Sequence, residues 1–211
     1  MSNDLGGLVT QLSTQLRDTA FATWGSAELE DLLVWSAAQL WPRHSRAVDP
    51  TDAIITLVAL SYFYTIPADI QAVSRLDLVN TSNEDQGNLA SNSWEVVGDA
   101  GAGTATLRIS DLYVDSYPGY TVRVNGYAPY DLYDNLPPDL LVPVILARAR
   151  AEAYHRMVGD REQFKTWISR NQTQNVSINE LMQMVTESQR EADRLADSTQ
   201  KTWQKPVRGR I

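Results

Sequence analysis

Thr104-Ala105-Thr106-Leu107-Arg108-Ile109-Ser110 alternates small or apolar side chains with polar ones at a period of two, the signature of a strand with one face buried. Tyr120-Thr121-Val122-Arg123-Val124-Asn125 repeats the pattern, and Tyr117-Pro118-Gly119-Tyr120 before it has the composition of a type II turn. Ile54 to Tyr64, Ala72 to Val79 and Trp94 to Val97 are further strand candidates, separated by Pro67, the polar stretch Asn80 to Ser93, and the glycine-rich Gly98 to Gly103. At least five strands between residues 51 and 136 predict a small antiparallel β-sandwich or barrel.

On either side the period lengthens to 3.6. Leu5, Leu8, Val9, Leu12 and Leu16 recur at helical spacing behind a possible Asn3 or Asp4 cap. A second helix is predicted after Trp24-Gly25, with Ser26 as N-cap, Glu28, Glu30 and Asp31 in its first turns, and Pro42 closing it. After Pro137-Pro138-Asp139 the residues Leu141, Val142, Ile145, Leu146, Ala149, Ala153 and Met157 share a face, and Gly159 stands as a stop. Pro143 fits because it falls in the first turn. A short helix is expected around Phe164, Trp167 and Ile168, and Ser177-Ile178-Asn179-Glu180 is a capping box opening a last amphipathic helix through Leu195. The fold class predicted is therefore α+β: a discontinuous helical domain of about five helices over 1–50 and 137–197, an inserted β domain over 51–136, and an extended basic tail over 198–211.

The composition excludes several classes of function. The 211 residues hold 26 acids against 18 bases, a net charge of -8 that disfavours nonspecific binding to phosphate backbones. The absence of cysteine removes disulfides, thiolate nucleophiles and thiolate metal sites. The most apolar stretch, Ala53 to Ala68, is too short and too polar to span a membrane, and Met1 to Gly7 lacks a secretory pattern, so a cytosolic origin and no membrane partner are expected.

Motifs for chemistry are sparse. Only His44 and His155 are available as histidine bases. Glu152-Ala153-Tyr154-His155 has the spacing of two ligands on one helix face, but a di-iron bundle needs the motif twice, and it occurs once. Gly98 to Gly103 precedes a strand rather than a helix and lacks a following Lys-Ser or Lys-Thr, so it reads as a turn rather than a phosphate cradle. A hydrolase would need a carboxylate pair such as Asp111 and Asp115. No catalytic, cofactor-binding or metal-binding residue is predicted, and no cofactor.

Charge and aromatic placement point instead to surfaces. Residues 51–136 carry eleven acids and three arginines, while residues 201–211 carry Lys201, Lys205, Arg208 and Arg210 and no acid, which leaves everything before the tail at -12. Such a separation favours attraction between a tail and a neighbouring copy; a solvated basic end is the alternative. Eight of nine tyrosines lie between residues 51 and 136, as an aromatic platform for sugars or as sandwich core and protein interface. Fifteen arginines against three lysines also suit an assembling surface.

The order of these pieces resembles the head-to-tail connector, or adaptor, proteins of tailed bacteriophages. The resemblance rests on Trp24-Gly25-Ser26 with Glu28-Leu29, on Tyr64-Thr65-Ile66-Pro67-Ala68-Asp69-Ile70 leading into Ala72-Val73-Ser74-Arg75-Leu76-Asp77, and on Ser93-Trp94-Glu95-Val96. It continues through Thr121-Val122-Arg123-Val124, Leu136-Pro137-Pro138-Asp139, Gly159-Asp160, Phe164 with Trp167, Asn175-Val176-Ser177 and Glu180-Leu181.

The resemblance implies a non-enzymatic structural protein of the virion neck, assembled in the bacterial host cytoplasm. Its partners would be copies of itself in a ring, usually dodecameric, the portal protein, and a stopper or tail completion protein, with genomic DNA passing through without sequence-specific binding. It also implies a portal-binding tail, here Lys201, Trp203, Lys205, Pro206, Val207, Arg208, Arg210 and Ile211. The β insertion departs from the smallest, all-helical members. The alternative reading is a β-sandwich module that binds carbohydrate or protein, carried on a helical oligomerisation base.

Overall fold

A computed structural model describes residues 4–51, 53–98, 105–134, 136–171 and 176–200. Among these the chain divides into two units, one built from residues up to 44 and from 129 onward, the other from residues 45–128.

The first unit is helical. Helix α1 (Leu5–Gln15) starts where the Asp4 carboxylate accepts the Gly7 amide at 2.7 Å, and buries Leu8, Val9 and Leu12. The buried Asp18 carboxylate then accepts the amides of Ala22, Thr23 and Trp24, which fixes the loop that delivers the chain to α2 (Ser26–Ala38). Gly25, not Ser26, is the N-cap there, and it offers no side-chain bond; Ser26 is the first helical residue. Helix α4 (Val142–Gly159) is central, packed by α1, α2, α5 (Arg161–Asn171) and α6 (Ile178–Gln200), and small residues let neighbours approach it from several sides: Ala147, Ala149, Ala151 and Ala153 are all buried. The predicted capping box opens α6, with the Ser177 amide donating to the Glu180 carboxylate at 2.6 Å and the Glu180 amide to Ser177 Oγ at 3.3 Å. Tyr130 and Leu132, which follow the β region, are buried in this helical core.

The second unit holds two antiparallel sheets around one apolar core containing Leu76, Leu78, Leu107, Ile109, Val122 and Val124. In the larger sheet the order is β1 (Arg46–Ala47), β8 (Thr121–Ala128), β4 (Ala72–Val79), β5 (Asp85–Asn88), with β2 (Ile54–Thr56) also paired to β8. The smaller sheet runs β3 (Phe63–Thr65), β7 (Thr106–Ile109), β6 (Trp94–Val97). The period-two expectation holds for both decisive strands: Leu107 and Ile109 are buried while Arg108 is exposed, and β8 alternates without interruption. The Tyr117 to Tyr120 turn has the expected geometry, with Gly119 at φ 83° and the Tyr120 amide donating to the Tyr117 carbonyl at 3.1 Å.

Four further expectations are corrected. Ile54 to Tyr64 is two strands, β2 and β3, in different sheets, because the chain turns between Val58 and Ser61 with Leu60 at φ 65°. The polar stretch Asn80 to Ser93 is not all loop: β5 pairs with β4, held by Asn80 and the positive-φ residues Asn83 and Gly87. A sixth helix, α3 (Asp111–Ser116), follows β7, with Ser110 Oγ accepting the Leu112 amide at 3.3 Å. Ser198 to Gln200 are helical rather than tail, since Thr199 Oγ1 donates to the Ala196 carbonyl at 2.9 Å inside the helical core.

Candidate functional site

The predicted binding residues Lys201, Trp203, Lys205, Pro206, Val207, Arg208, Arg210 and Ile211 lie outside the described residues. What is described is the helix end from which they continue. Ala196 and Thr199 are buried, Asp197 pairs with Arg43, and Thr199 Oγ1 lies 3.4 Å from His44 Nε2. Arg148 on α4 donates to the Gln39 carbonyl at 2.6 Å beside them. The His44 ring is buried, and its Nδ1 has no partner among the described residues. Burial, then the Arg43 guanidinium, and more weakly Arg148, push its pKa below the ordinary value, against the raising effect of a backbone bond with Ala196. The last turn of α6 is thus pinned to the segment after α2, so the basic segment has a fixed origin.

The second surface lies on the β unit. Val58 to Ser61 form a turn whose Ser61 amide donates to the Val58 carbonyl at 3.0 Å, leaving Leu60 78% exposed. Asp115 on α3 clamps this turn, accepting the Leu60 amide on Oδ1 and the Tyr62 hydroxyl on Oδ2, each at 3.2 Å. Burial and the Asp115 charge raise the Tyr62 pKa, so its hydroxyl stays protonated and donating. Next to the clamp an open groove of about 730 Å³ is lined by Tyr62, Phe63, Trp94, Glu95, Val97 and Asp111 among others. Phe63, Arg108 and Glu95 stand in register across the small sheet, and Arg108 Nη1 donates to Glu95 Oε1 at 2.7 Å. This surface is hard to see in the sequence, because Val58 and Leu60 read as strand interior; Ser110 ahead of Leu112-Tyr113-Val114 is the cap signal that reveals α3.

The remaining chemical candidates resolve locally. Asp111 accepts the Leu112 amide at 2.9 Å and the Ser110 hydroxyl at 3.1 Å, and Asp115 is occupied by its clamp. Glu152 and His155 lie 3.7 Å apart on the face of α4, where Glu152 also accepts from Arg156. Among the described residues no group of three or more His, Asp or Glu is placed to hold a metal ion, and no helix is long and apolar enough to cross a membrane. Of the glycine-rich stretch, Gly98 is described, at φ 96°, while residues 99–103 lie outside. Tyr113, Tyr117 and Tyr120 follow one another at ring separations of 6.2 and 5.2 Å but are tilted by 30° and 49°, and Tyr113 and Tyr120 pack on the β core. The three rings do not lie in one plane, and Tyr117 is exposed.

The described surfaces are thus a helix end buried at Ala196 and Thr199 and, on the β unit, an open groove of mixed polarity. The family model described as SU10 adaptor protein matches residues 3–209, and the chain belongs to that family, the structural adaptors of the phage head-to-tail connector. No curated protein matches the chain. Among solved structures it is similar to a chain in the neck of an empty GTA particle computed with C6 symmetry, at 21% identity over 70% of this chain and 76% of that one, with a TM-score of 0.30.

Proposed function

We propose that this chain is the subunit of an adaptor ring that docks on the portal, extends the DNA channel and links the phage head to a stopper or tail completion protein. The observation that carries the reading is the family match across nearly the whole chain. Subunits of a chiral chain placed side by side make heterologous contacts, and twelve such contacts closing about an axis give the expected dodecamer. Residues 201–211 are the portal-binding segment. Trp203 and the arginines Arg208 and Arg210 are its anchors, since aromatic and guanidinium groups dominate binding energy at interfaces.

The charge separation suits this arrangement. Once the four cations of the tail are committed to the portal, what remains of each subunit is net acidic at -12. Such a ring does not release counterions from passing DNA, so the genome slides through it without being held. The work is mechanical and non-enzymatic, performed in the virion neck after assembly in the host cytoplasm.

The test is co-sedimentation and electron microscopy of the purified chain mixed with portal. Rings capping the portal are expected for the full chain, and loss of binding after deletion of residues 201–211. Unaltered binding by the truncated chain would overturn the tail assignment, and no association by the full chain would overturn the ring.

A further inference from the structure

Leu60 is not part of the β core, and the groove near it opens over that core's edge at Tyr62, Trp94 and Ile109. Leu60 occupies the left-handed region at φ 65°, a conformation that glycine or asparagine adopts with far less steric conflict, and it is largely exposed. Two fixings hold it there: the Asp115 clamp on its amide, and Tyr64, whose hydroxyl accepts the Val58 amide at 3.1 Å and donates to the Val58 carbonyl at 3.4 Å. Strain of this kind, over-determined by hydrogen bonds and spent on displaying an apolar side chain to solvent, is characteristic of functional surfaces. Val58, Phe63 and Leu112 are each more than half exposed on the same turn, strand and helix.

We infer that this groove receives residues 201–211 of a second copy of the chain before the portal claims them. The inference rests on the reading of that segment as a docking segment. Charge selects the occupant. Among the described lining residues Glu95 and Arg108 pair and cancel, which leaves Asp111 as the uncompensated charge of the groove, with Asp115 bound to the neighbouring turn through Leu60 and Tyr62. The segment offers the complement: Lys201, Lys205, Arg208 and Arg210 with no acid, interleaved with Trp203, Pro206, Val207 and Ile211 for the apolar floor. Its length suffices. Eleven residues extend to about 36 Å, whereas three strands span roughly 14 Å across the sheet. A second copy is the source because neighbours in a closing ring present the donor end of one chain to the acceptor surface of the next. The arrangement would shield an adhesive segment until the portal competes for it.

The experiment uses the full chain without portal. Phe63 is replaced by a photoreactive phenylalanine analogue, isotopically heavy and light copies are mixed and irradiated, and the adducts are mapped by mass spectrometry. The expected adducts fall in residues 201–211, with heavy-light pairs as frequent as like pairs and a yield that drops severalfold in about 0.5 M salt. Glu95→Lys with Asp111→Lys should lower the yield roughly tenfold while the circular dichroism spectrum stays unchanged, with only a small fall in melting temperature from the lost Arg108 pair and the lost Asp111 bonds at the start of α3. Adducts elsewhere, adducts within single copies only, no adducts, or a yield indifferent to charge reversal would each overturn the inference. Because portal is absent, failure here leaves the portal-docking reading standing, and failure to bind portal leaves this result standing.

Discussion

The indole Nε1–H of Trp167 donates to the carbonyl oxygen of Leu16 at 3.0 Å, a bond that joins α5 to the end of α1 across 151 residues of sequence. Trp167 also meets Tyr154 of α4 edge-on at 6.2 Å, so one side chain ties the amino-terminal helix to the helices that follow the β unit. Trp167→Phe keeps most of the apolar volume and removes the donor. The expected cost is about 1–3 kcal/mol of unfolding free energy, because the buried carbonyl loses its side-chain partner. Urea denaturation of the two proteins measures it; a variant as stable as the parent would show that α1 is held by apolar packing alone.

Gly126 in β8 lies where two backbones close up. A Cβ placed on it would sit 2.5 Å from Ile70 Cγ2 and 2.7 Å from the Ala72 carbonyl oxygen. Isoleucine can turn aside, but the carbonyl belongs to the paired strand and cannot. Gly126→Ala is therefore expected to destabilise the β unit by about 1–3 kcal/mol, through strand displacement rather than any φ requirement. Amide hydrogen exchange should show the loss concentrated in β4 and β8, and protection unchanged in those strands would contradict it.

Much of this fold was legible in local periodicity. Leu107 and Ile109 against Arg108, the Ser177 and Glu180 box, and the Pro118-Gly119 turn each carry their own signal, because the forces that set them act within a few residues. What escaped depends on partners distant in sequence. Leu60 bends out of an apparent strand because Asp115, 55 residues on, captures its amide, and no pattern around residue 60 announces that. Strand β5 is fully exposed and polar, stabilised by backbone pairing to β4, so hydropathy is silent on it. The basic segment was legible as charge, whereas the groove proposed to receive it exists only once β3, β6, β7 and α3 are side by side.

His44 gives a pH dependence of known sign. Its ring is neutral in the folded chain because burial and the Arg43 and Arg148 charges oppose a second proton, and an unfolded histidine takes that proton near its ordinary value of 6.5. The stabilising contribution is therefore complete above pH 6.5 and declines as the pH falls below it toward the lowered folded value. Thr199 Oγ1 and the Ala196 backbone are the α6 groups that meet the ring, so protonation should loosen the last turn of that helix first. The expected observation is a fall in melting temperature between about pH 7 and pH 5.5 that is larger in the parent than in His44→Gln. Equal slopes for both proteins would remove His44 from the account.

Leu60 separates stability from assembly. Left-handed backbone costs a residue with a Cβ about 1–2 kcal/mol, and glycine at the same place forfeits about 0.5–1 kcal/mol in unfolded-chain entropy. Since Leu60 is exposed and its side chain contributes little burial, Leu60→Gly should leave the free energy of unfolding unchanged or raise it by up to about 1 kcal/mol. Leu60→Val should lower it by a comparable amount, because a β-branched side chain fits that conformation worst. Chemical denaturation of the three proteins orders them. If leucine is kept there for contact with another chain, the glycine variant will be at least as stable as the parent and give a lower cross-link yield; if glycine instead destabilises the chain, Leu60 is supporting the β unit and its exposure has no bearing on assembly.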